Sequence, residues 1–571
     1  MTQKIGVYGM AVDNEKLRTG GQILIDQLRV HGVDTIFCLP GESYLAALDA
    51  MHDAQNTMKI MTCRQEGGVT NMADAYAKLT GKPGIAMVTR APGACNASIG
   101  VHTAMQDSSP MLIFIGQVAR SQEYREAFQE VDYHQFYGAL CKWVVQIDNA
   151  DRIPELVAQA FHRAMSGRPG PVAVALPEDM LRDLTSAADA KPYKIARPNA
   201  ALSDIEALKG MLEAASRPLA VLGGGGWSPE ACANFETFAI ANQIPVTTSF
   251  RCQDFIDNEH CCYAGELGTT VNPKLASRIK EADLLLVVGA RMGEMTTSIY
   301  ELLDIPTPKQ KLVHVYMEPG ELGRVYTPEL PIVASMESFA RAVMEMPAIK
   351  NPSWAEWTRT LRSEQLANWE PSIPMVGKLD MHSVIRYLNE VLPEDAILTN
   401  DAGNFSGWPQ RFYRYRRYRT QLAPTSGAMG YGIPAAIAAR ATYPNRIVVG
   451  FAGDGGAMMS GQEFAAAVQH GVDPVIIIIN NNMYGTIRMH QDRDYPGRDV
   501  ATELSNPDFA KWSESFGGFG EVVERTEDFA PAFERAIGAG KIALLELRID
   551  PDMISTRTTL KALRELSNKN K

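Results

Sequence analysis

Short β-branched apolar runs alternate with helix-length segments along the entire chain. Thr35-Ile36-Phe37-Cys38-Leu39, Gly84 to Val88, Met111 to Ile115 and Val172 to Leu176 occupy the first third. Pro218 to Leu222, Leu284 to Val288 and Leu312 to Val315 follow, then Ala396 to Thr399, Ile447 to Phe451, Val475 to Ile479 and Ala543 to Leu547. Runs of this size, apolar on both faces and separated by helices, are what buried parallel strands require. The chain therefore reads as α/β, with three doubly wound parallel-sheet domains. Its 571 residues are enough for about three to five domains. Two stretches lack strand runs and gather proline and small or polar residues, about 186–200 and 347–374, which marks them as linkers. Expected boundaries are thus 1–185, 200–346 and 375–571. The second linker carries Trp354, Trp357 and Trp369, so it is expected to pack on the protein. His31-Gly32-Val33-Asp34 recurs as His470-Gly471-Val472-Asp473, a faint hint that the first and third domains share a build.

A net charge of −11 argues against a nucleic-acid binder, which needs a clustered basic surface. One basic, aromatic run, Arg411 to Arg419, reads as a solvated or subunit-facing segment. No apolar run reaches the roughly 18 residues of a membrane span. The eight cysteines show no Cys-x-x-Cys and no zinc spacing, and read as reduced core residues. Met1 to Gly6 lacks the basic and apolar segments of an export signal, giving a cytoplasmic expectation.

The strongest chemical signal is Val448-Val449-Gly450-Phe451-Ala452-Gly453-Asp454-Gly455-Gly456, followed by a helical segment from about residue 460 to 470, an apolar strand, and Asn480-Asn481-Asn482-Met483-Tyr484-Gly485. Glycines at a strand end bring backbone close to an anion and aim one carboxylate outward. A hard divalent cation bridging two phosphates needs a carboxylate, an amide oxygen and a main-chain carbonyl. Asp454 and Asn481 are 27 residues apart, room for one helix and one strand before the chain returns to the same sheet edge, where α/β sheets bind ligands. Either half alone is an ordinary turn; the spacing makes the combination specific. In the first third, Glu66 ends the strand-like Lys59 to Thr62 segment and leads into a helix of small residues, making it a candidate buried acid.

The chain resembles thiamine-diphosphate enzymes, and most closely catalytic subunits of the acetohydroxyacid synthase type. The resemblance rests on the Gly-Asp-Gly to Asn-Asn motif, the Glu66 segment, Gln117, Ala127-Phe128-Gln129-Glu130, Gly167 to Val172, Gly289-Ala290-Arg291 and Ser426 to Ala436. It implies that Asp454, Asn481 and the Met483 carbonyl hold Mg²⁺, with Gly453, Gly455, Gly456, Tyr484 and Gly485 around the diphosphate. Glu66 would exchange a proton with the cofactor's aminopyrimidine ring, with Phe128 and Gln129 as further catalytic candidates. Pro92 and Asn96 would lie on the loop that meets the partner's cofactor. Met429 would bend the cofactor and the Gly427 carbonyl would hold its amino group. The sites would then fall between the pyrimidine-binding first domain of one subunit and the diphosphate-binding third domain of another, in a homodimer or homotetramer.

The implied reaction is decarboxylation of a 2-oxo acid or related carbonyl substrate, with carboligation. A 2-oxo acid decarboxylase or (hydroxy)acyl-CoA lyase is the alternative within this chemistry; a non-catalytic α/β binding protein and a flavin oxidoreductase are alternatives outside it. Several positions depart from the family. Glu178 stands for a lysine, His490 for a pocket tryptophan, Asn404-Phe405 for a Gln-His pair near the diphosphate, and Gly456 for a serine. Reversed charge at Glu178 is expected to disfavour pyruvate. Synthases of this type bind FAD in the central domain; here Gly223 to Gly226 offers a glycine run, while Arg291-Met292-Gly293-Glu294-Met295 departs from the family's pattern, which leaves FAD open.

Overall fold

The computed structural model describes residues 17–569; Met1 to Gly6, read above for an export signal, lies outside them. Each of the three apolar sets forms one six-stranded, all-parallel sheet. In the first, Lys59–Thr62, Thr35–Cys38, Gly84–Val88, Met111–Gln117, Pro171–Pro177 and Trp143–Gln146 lie side by side in that order. In the third the order is Gln421–Leu422, Ile397–Asn400, Val448–Gly453, Val475–Asn480, Ala543–Arg548 and Phe519–Val523. Numbered along the chain, both read 2-1-3-4-6-5, whereas the central sheet reads 3-2-1-4-5-6.

The likeness of the first and third units is therefore real, but the repeated tetrapeptide does not mark it. His31 to Asp34 precedes the first strand of its sheet and His470 to Asp473 the fourth of its own. What the two copies share is a helix end: Gly32 and Gly471 have φ of 79° and 61°, the left-handed conformation that stops a helix.

The first and third units are fused by one core. The helix Glu66–Thr80 packs on the helix Gly432–Thr442, and Gly67, Gly68, Ala73, Ala75, Ala77, Ala435, Ala436, Ala438 and Ala439 keep both surfaces shallow. The Ser426 to Ala436 run becomes helix only at Gly432. Gly427 and Gly430 have φ of 72° and 78°, so the preceding residues form a turn. Beneath it, Lys78 pairs with the buried carboxylates Asp74 and Asp107, and Tyr431 donates to Asp74 at 2.7 Å.

The second linker is more ordered than its composition suggests. It contains the helix Ala355–Asn368, and Trp354 and Trp357 donate their indole N–H groups to Asn242 O and Pro218 O. The basic run from Arg411 to Arg419 is solvated only in part, chiefly at Arg414 and Arg417. Arg411 is buried, and its guanidinium caps the carbonyls of Asn368, Glu370 and Thr556, while Phe412, Tyr413 and Tyr415 are buried in the third-domain core. This run braces linker to domain, since a buried guanidinium needs many acceptors. Six of the eight cysteines are buried; Cys95 and Cys261 are exposed. Among the described residues no helix is long and apolar enough to cross a membrane.

Candidate active site

The strand Val448–Gly453 runs straight into a helix that begins at Asp454, six residues before the helical start expected from sequence. Asp454 is 3% exposed. Its Oδ1 accepts from Gly455 N at 2.9 Å and its Oδ2 from Asn506 Nδ2 at 2.8 Å. Burial raises its carboxyl above the ordinary aspartate range, against these hydrogen bonds, which favour the charged form. The glycines here answer to close approach. A Cβ at Gly455 would lie 2.5 Å from the Tyr484 ring, one at Gly453 would lie 3.0 Å from the Phe405 ring, and one at Gly456 would strike Asp401 Oδ2.

The neighbouring parallel strand, Val475–Asn480, ends beside Gly453. Beyond it Asn481 Oδ1 accepts from Met483 N at 3.3 Å, and Asn506 reaches Asn480 Oδ1 at 3.0 Å and Asn482 Oδ1 at 3.3 Å. Asn506 thus ties the Asp454 turn to the triple-asparagine turn. Sequence gave no sign of it, because an asparagine before a proline in a loop is ordinary. Asn404 is held by Thr486, whose hydroxyl accepts from Asn404 N and donates to Asn404 Oδ1, both at 3.0 Å. At the same strand end, just past Ile397–Asn400, Asp401 is fully enclosed. Burial pushes its carboxyl up to about 6, and its Oδ2 has no partner among the described residues.

Glu66 opens its helix at the end of the strand Lys59–Thr62 and is 6% exposed. Gln65 caps the helix by accepting from Gly67 N and Gly68 N. Asn96 Nδ2 donates to Glu66 Oε2 at 2.9 Å, and a Cβ on Gly93 would come within 3.1 Å of Oε1. The Pro92 to Asn96 turn is therefore the wall of the Glu66 carboxyl. Gln129, with φ of 67°, accepts from Ala91 N through its carbonyl; Phe128 beside it is 73% exposed.

A residue absent from the sequence reading positions Glu66 from the third domain. Glu463 accepts from Arg64 N at 3.0 and 3.1 Å and from Gln65 N at 2.9 Å. Burial outweighs these donors and pushes its carboxyl up to about 7 from an ordinary 4.5. A raised carboxyl favours the folded state fully below about pH 4.5, and that contribution is lost as pH rises through about 7. Glu463→Gln should flatten this decline, which is on the order of 3 kcal/mol. Thermal unfolding of both proteins from pH 5 to 8 checks it; parallel profiles would assign the slope elsewhere.

In one chain the Glu66 group and the Asp454 group share no hydrogen bond among the described residues. A cavity of about 1120 Å³ lies where the three domains meet, lined by Asn404, Gly427, Thr486 and Met489 of the third domain and by Gly224 to Trp227, Arg291 and Met292 of the central one. The central glycine run is packed: Cβ atoms at Gly223, Gly224 and Gly226 would collide with Ser249, the Gly289 carbonyl and Met317. Glu178 does not present a free negative charge, because Arg90 Nη2 donates to its Oε2 at 2.6 Å. The expected field reversal at this position is thereby offset, and with it the argument against pyruvate.

Three parallel-sheet domains, with an enclosed strand-end carboxylate beside close-packed glycines in the third and an enclosed glutamate in the first, are matched by sequence comparison to one enzyme family. The family descriptions "Thiamine pyrophosphate enzyme, N-terminal TPP binding domain", "central domain" and "C-terminal TPP binding domain" match residues 18–136, 205–343 and 401–547. The chain belongs to the thiamine pyrophosphate enzyme family. Its relatives include the acetolactate synthase large subunit of Parasynechococcus marenigrum, 33% identical over 91% of this chain and 86% of that protein. The acetolactate synthase isozyme 2 large subunit of Escherichia coli is 28% identical over 93% of this chain and 95% of its own length. The acetolactate synthase large subunit of Lactococcus lactis is 29% identical over 88% of each.

Proposed function

We propose that this enzyme uses thiamine diphosphate with Mg²⁺ to decarboxylate a 2-oxo acid and join the retained carbon unit to a second carbonyl compound, as acetolactate synthases do. The carrying observation is that one chain holds both an enclosed glutamate with its own wall and an enclosed aspartate at a glycine cradle. The donor set suits Mg²⁺, being oxygen throughout: Asp454 carboxylate, Asn481 amide and Met483 carbonyl. Bound there, the cofactor supplies a nucleophilic carbon and an electron sink.

The chain's own residues do the rest. Gly453, Gly455 and Gly456 admit the diphosphate, with Asn404, Phe405, Tyr484 and Gly485 lining it. Met429 and the Gly427 carbonyl orient the pyrimidine. Asn96 occupies Glu66 Oε2, leaving Oε1, beside Gly93, to hold or release a proton toward the pyrimidine. Phe128 and Gln129 flank the substrate. Domain limits of 1–185, 200–346 and 375–571 belong to the same reading, as do a cytoplasmic location and a homodimer or homotetramer with shared sites. Exposed Leu45, Ile99, Phe128, Met458 and Met459 offer apolar surface for that assembly.

The three-domain cavity is large enough for a dinucleotide, since pockets for drug-sized ligands fill roughly 300–1,000 Å³. FAD is the family's candidate. Arg291 reaches Glu321 and the Gln106 carbonyl only at 3.4 and 3.3 Å, leaving it available to a phosphate. A flavin spectrum in the purified protein would support FAD, and a colourless protein would remove it. The function itself is tested by screening 2-oxo acids for CO₂ release and for ligated product with added thiamine diphosphate and Mg²⁺. Turnover of at least one acid, lost on chelation, is expected; inertness toward all of them refutes the reading.

A further inference from the structure

Glu178 lies just past the strand Pro171–Pro177, where the family resemblance places a lysine, and the cation it lacks comes from another strand. Arg90 follows the strand Gly84–Val88 and precedes the helix Ala91–Asp107 that carries the wall of Glu66. Its Nη2 donates to Glu178 Oε2 at 2.6 Å and its Nη1 to the Phe128 carbonyl at 3.4 Å. Its neighbour Ala91 donates to the Gln129 carbonyl. Arg90 is thus bracketed by the Glu66 wall, the Phe128–Gln129 loop and Glu178, at the carboxyl edge of the first sheet, where ligands of such sheets bind.

A structural Arg–carboxylate pair is usually bidentate, two parallel N–H groups on two oxygens. This one joins a single nitrogen to a single oxygen. Arg90 Nε is buried and has no partner among the described residues, and the side chain as a whole is 9% exposed. Each terminal nitrogen makes a single bond and so keeps one further N–H unused, and a guanidinium short of acceptors is costly when buried, so an acceptor from outside the chain fits at these terminal N–H groups. Resting on the proposed function, we propose that Arg90, steadied by Glu178, recognises the carboxylate of the 2-oxo acid. The pair is electrically neutral, so recognition works through a directed hydrogen bond more than through a long-range field. Lysine, a point charge without the fork, is not equivalent.

The two partners should respond in opposite directions. In holoenzyme loaded with thiamine diphosphate and Mg²⁺, Arg90→Gln should raise KM for the best 2-oxo acid by roughly 10- to 150-fold, the loss of one charge-assisted hydrogen bond. kcat should change much less. Calorimetric affinity for oxamate, an unreactive carboxylate isostere of pyruvate, should fall in parallel, and affinity for the cofactor should hold. Glu178→Gln leaves the arginine charged and less neutralised, so oxamate affinity should rise. A merely structural bridge would give losses of the same sign from either side, and that outcome overturns the proposal, as does an unchanged KM and oxamate affinity in Arg90→Gln. If Arg90→Gln fails to fold, Arg90→Lys carries the test: it keeps the charge, loses the fork, and should weaken oxamate while preserving kcat. Wild-type enzyme inert toward every 2-oxo acid would overturn the proposed function and this assignment together; wild-type turnover with like losses in both variants would overturn this assignment alone.

Discussion

Asp454→Ala is expected to abolish Mg²⁺-dependent binding of thiamine diphosphate and, with it, turnover. The carboxylate is the only charged group among the three proposed metal ligands, and Asn506 and Gly455 already hold both its oxygens in place. Its removal leaves the ion with two neutral oxygens, too few for a cation that keeps near-octahedral coordination and gives up water reluctantly. Ion and diphosphate stabilise each other's binding, so both are lost together. Calorimetry with and without Mg²⁺ checks this. Wild-type cofactor affinity in the variant would move the metal site elsewhere; the Asp401 carboxyl, with its unpartnered Oδ2, would be the next candidate.

Glu66→Gln should bind the cofactor with nearly unchanged affinity and yet lose about 10²–10⁴-fold in kcat, the range for a positioned acid–base group. The amide preserves shape and can still accept from Asn96, but it cannot hold and release a proton at the position of Oε1. Hydrogen–deuterium exchange at the thiazolium C2 of the bound cofactor separates this from a binding defect. Exchange as fast as in the wild type would remove Glu66 from the chemistry.

The α/β class, the three large sheets and many strand limits were legible because buried parallel strands leave uninterrupted apolar runs, and Val475 to Asn480 is the plainest case; the small antiparallel pair Arg18–Thr19 with Leu184–Thr185 was not. The placement of Asp454 and Asn481 at neighbouring strand ends was legible because a sheet edge forces fixed spacing between successive strand ends. Contacts between distant segments were not. Asn506 and Glu463 act on groups in other segments, 52 and nearly 400 residues away in sequence, and neither has a local pattern. Arg411 was not legible for the same reason: its acceptors are main-chain carbonyls of the linker and of the C-terminal segment, which no composition can announce. Glu178 misled because charge was read at one position while its compensating partner stood 88 residues earlier.

The first and third sheets share one strand order. Two units with the order 2-1-3-4-6-5, packed through one pair of helices, present two equivalent rows of strand ends. The chain uses different places in the two rows: Glu66 follows the second strand of one, whereas Asp454 and Asn481 follow the third and fourth of the other. One frame can thus carry unlike groups, because the strand ends are fixed by the sheet while the residues beyond them are free to differ.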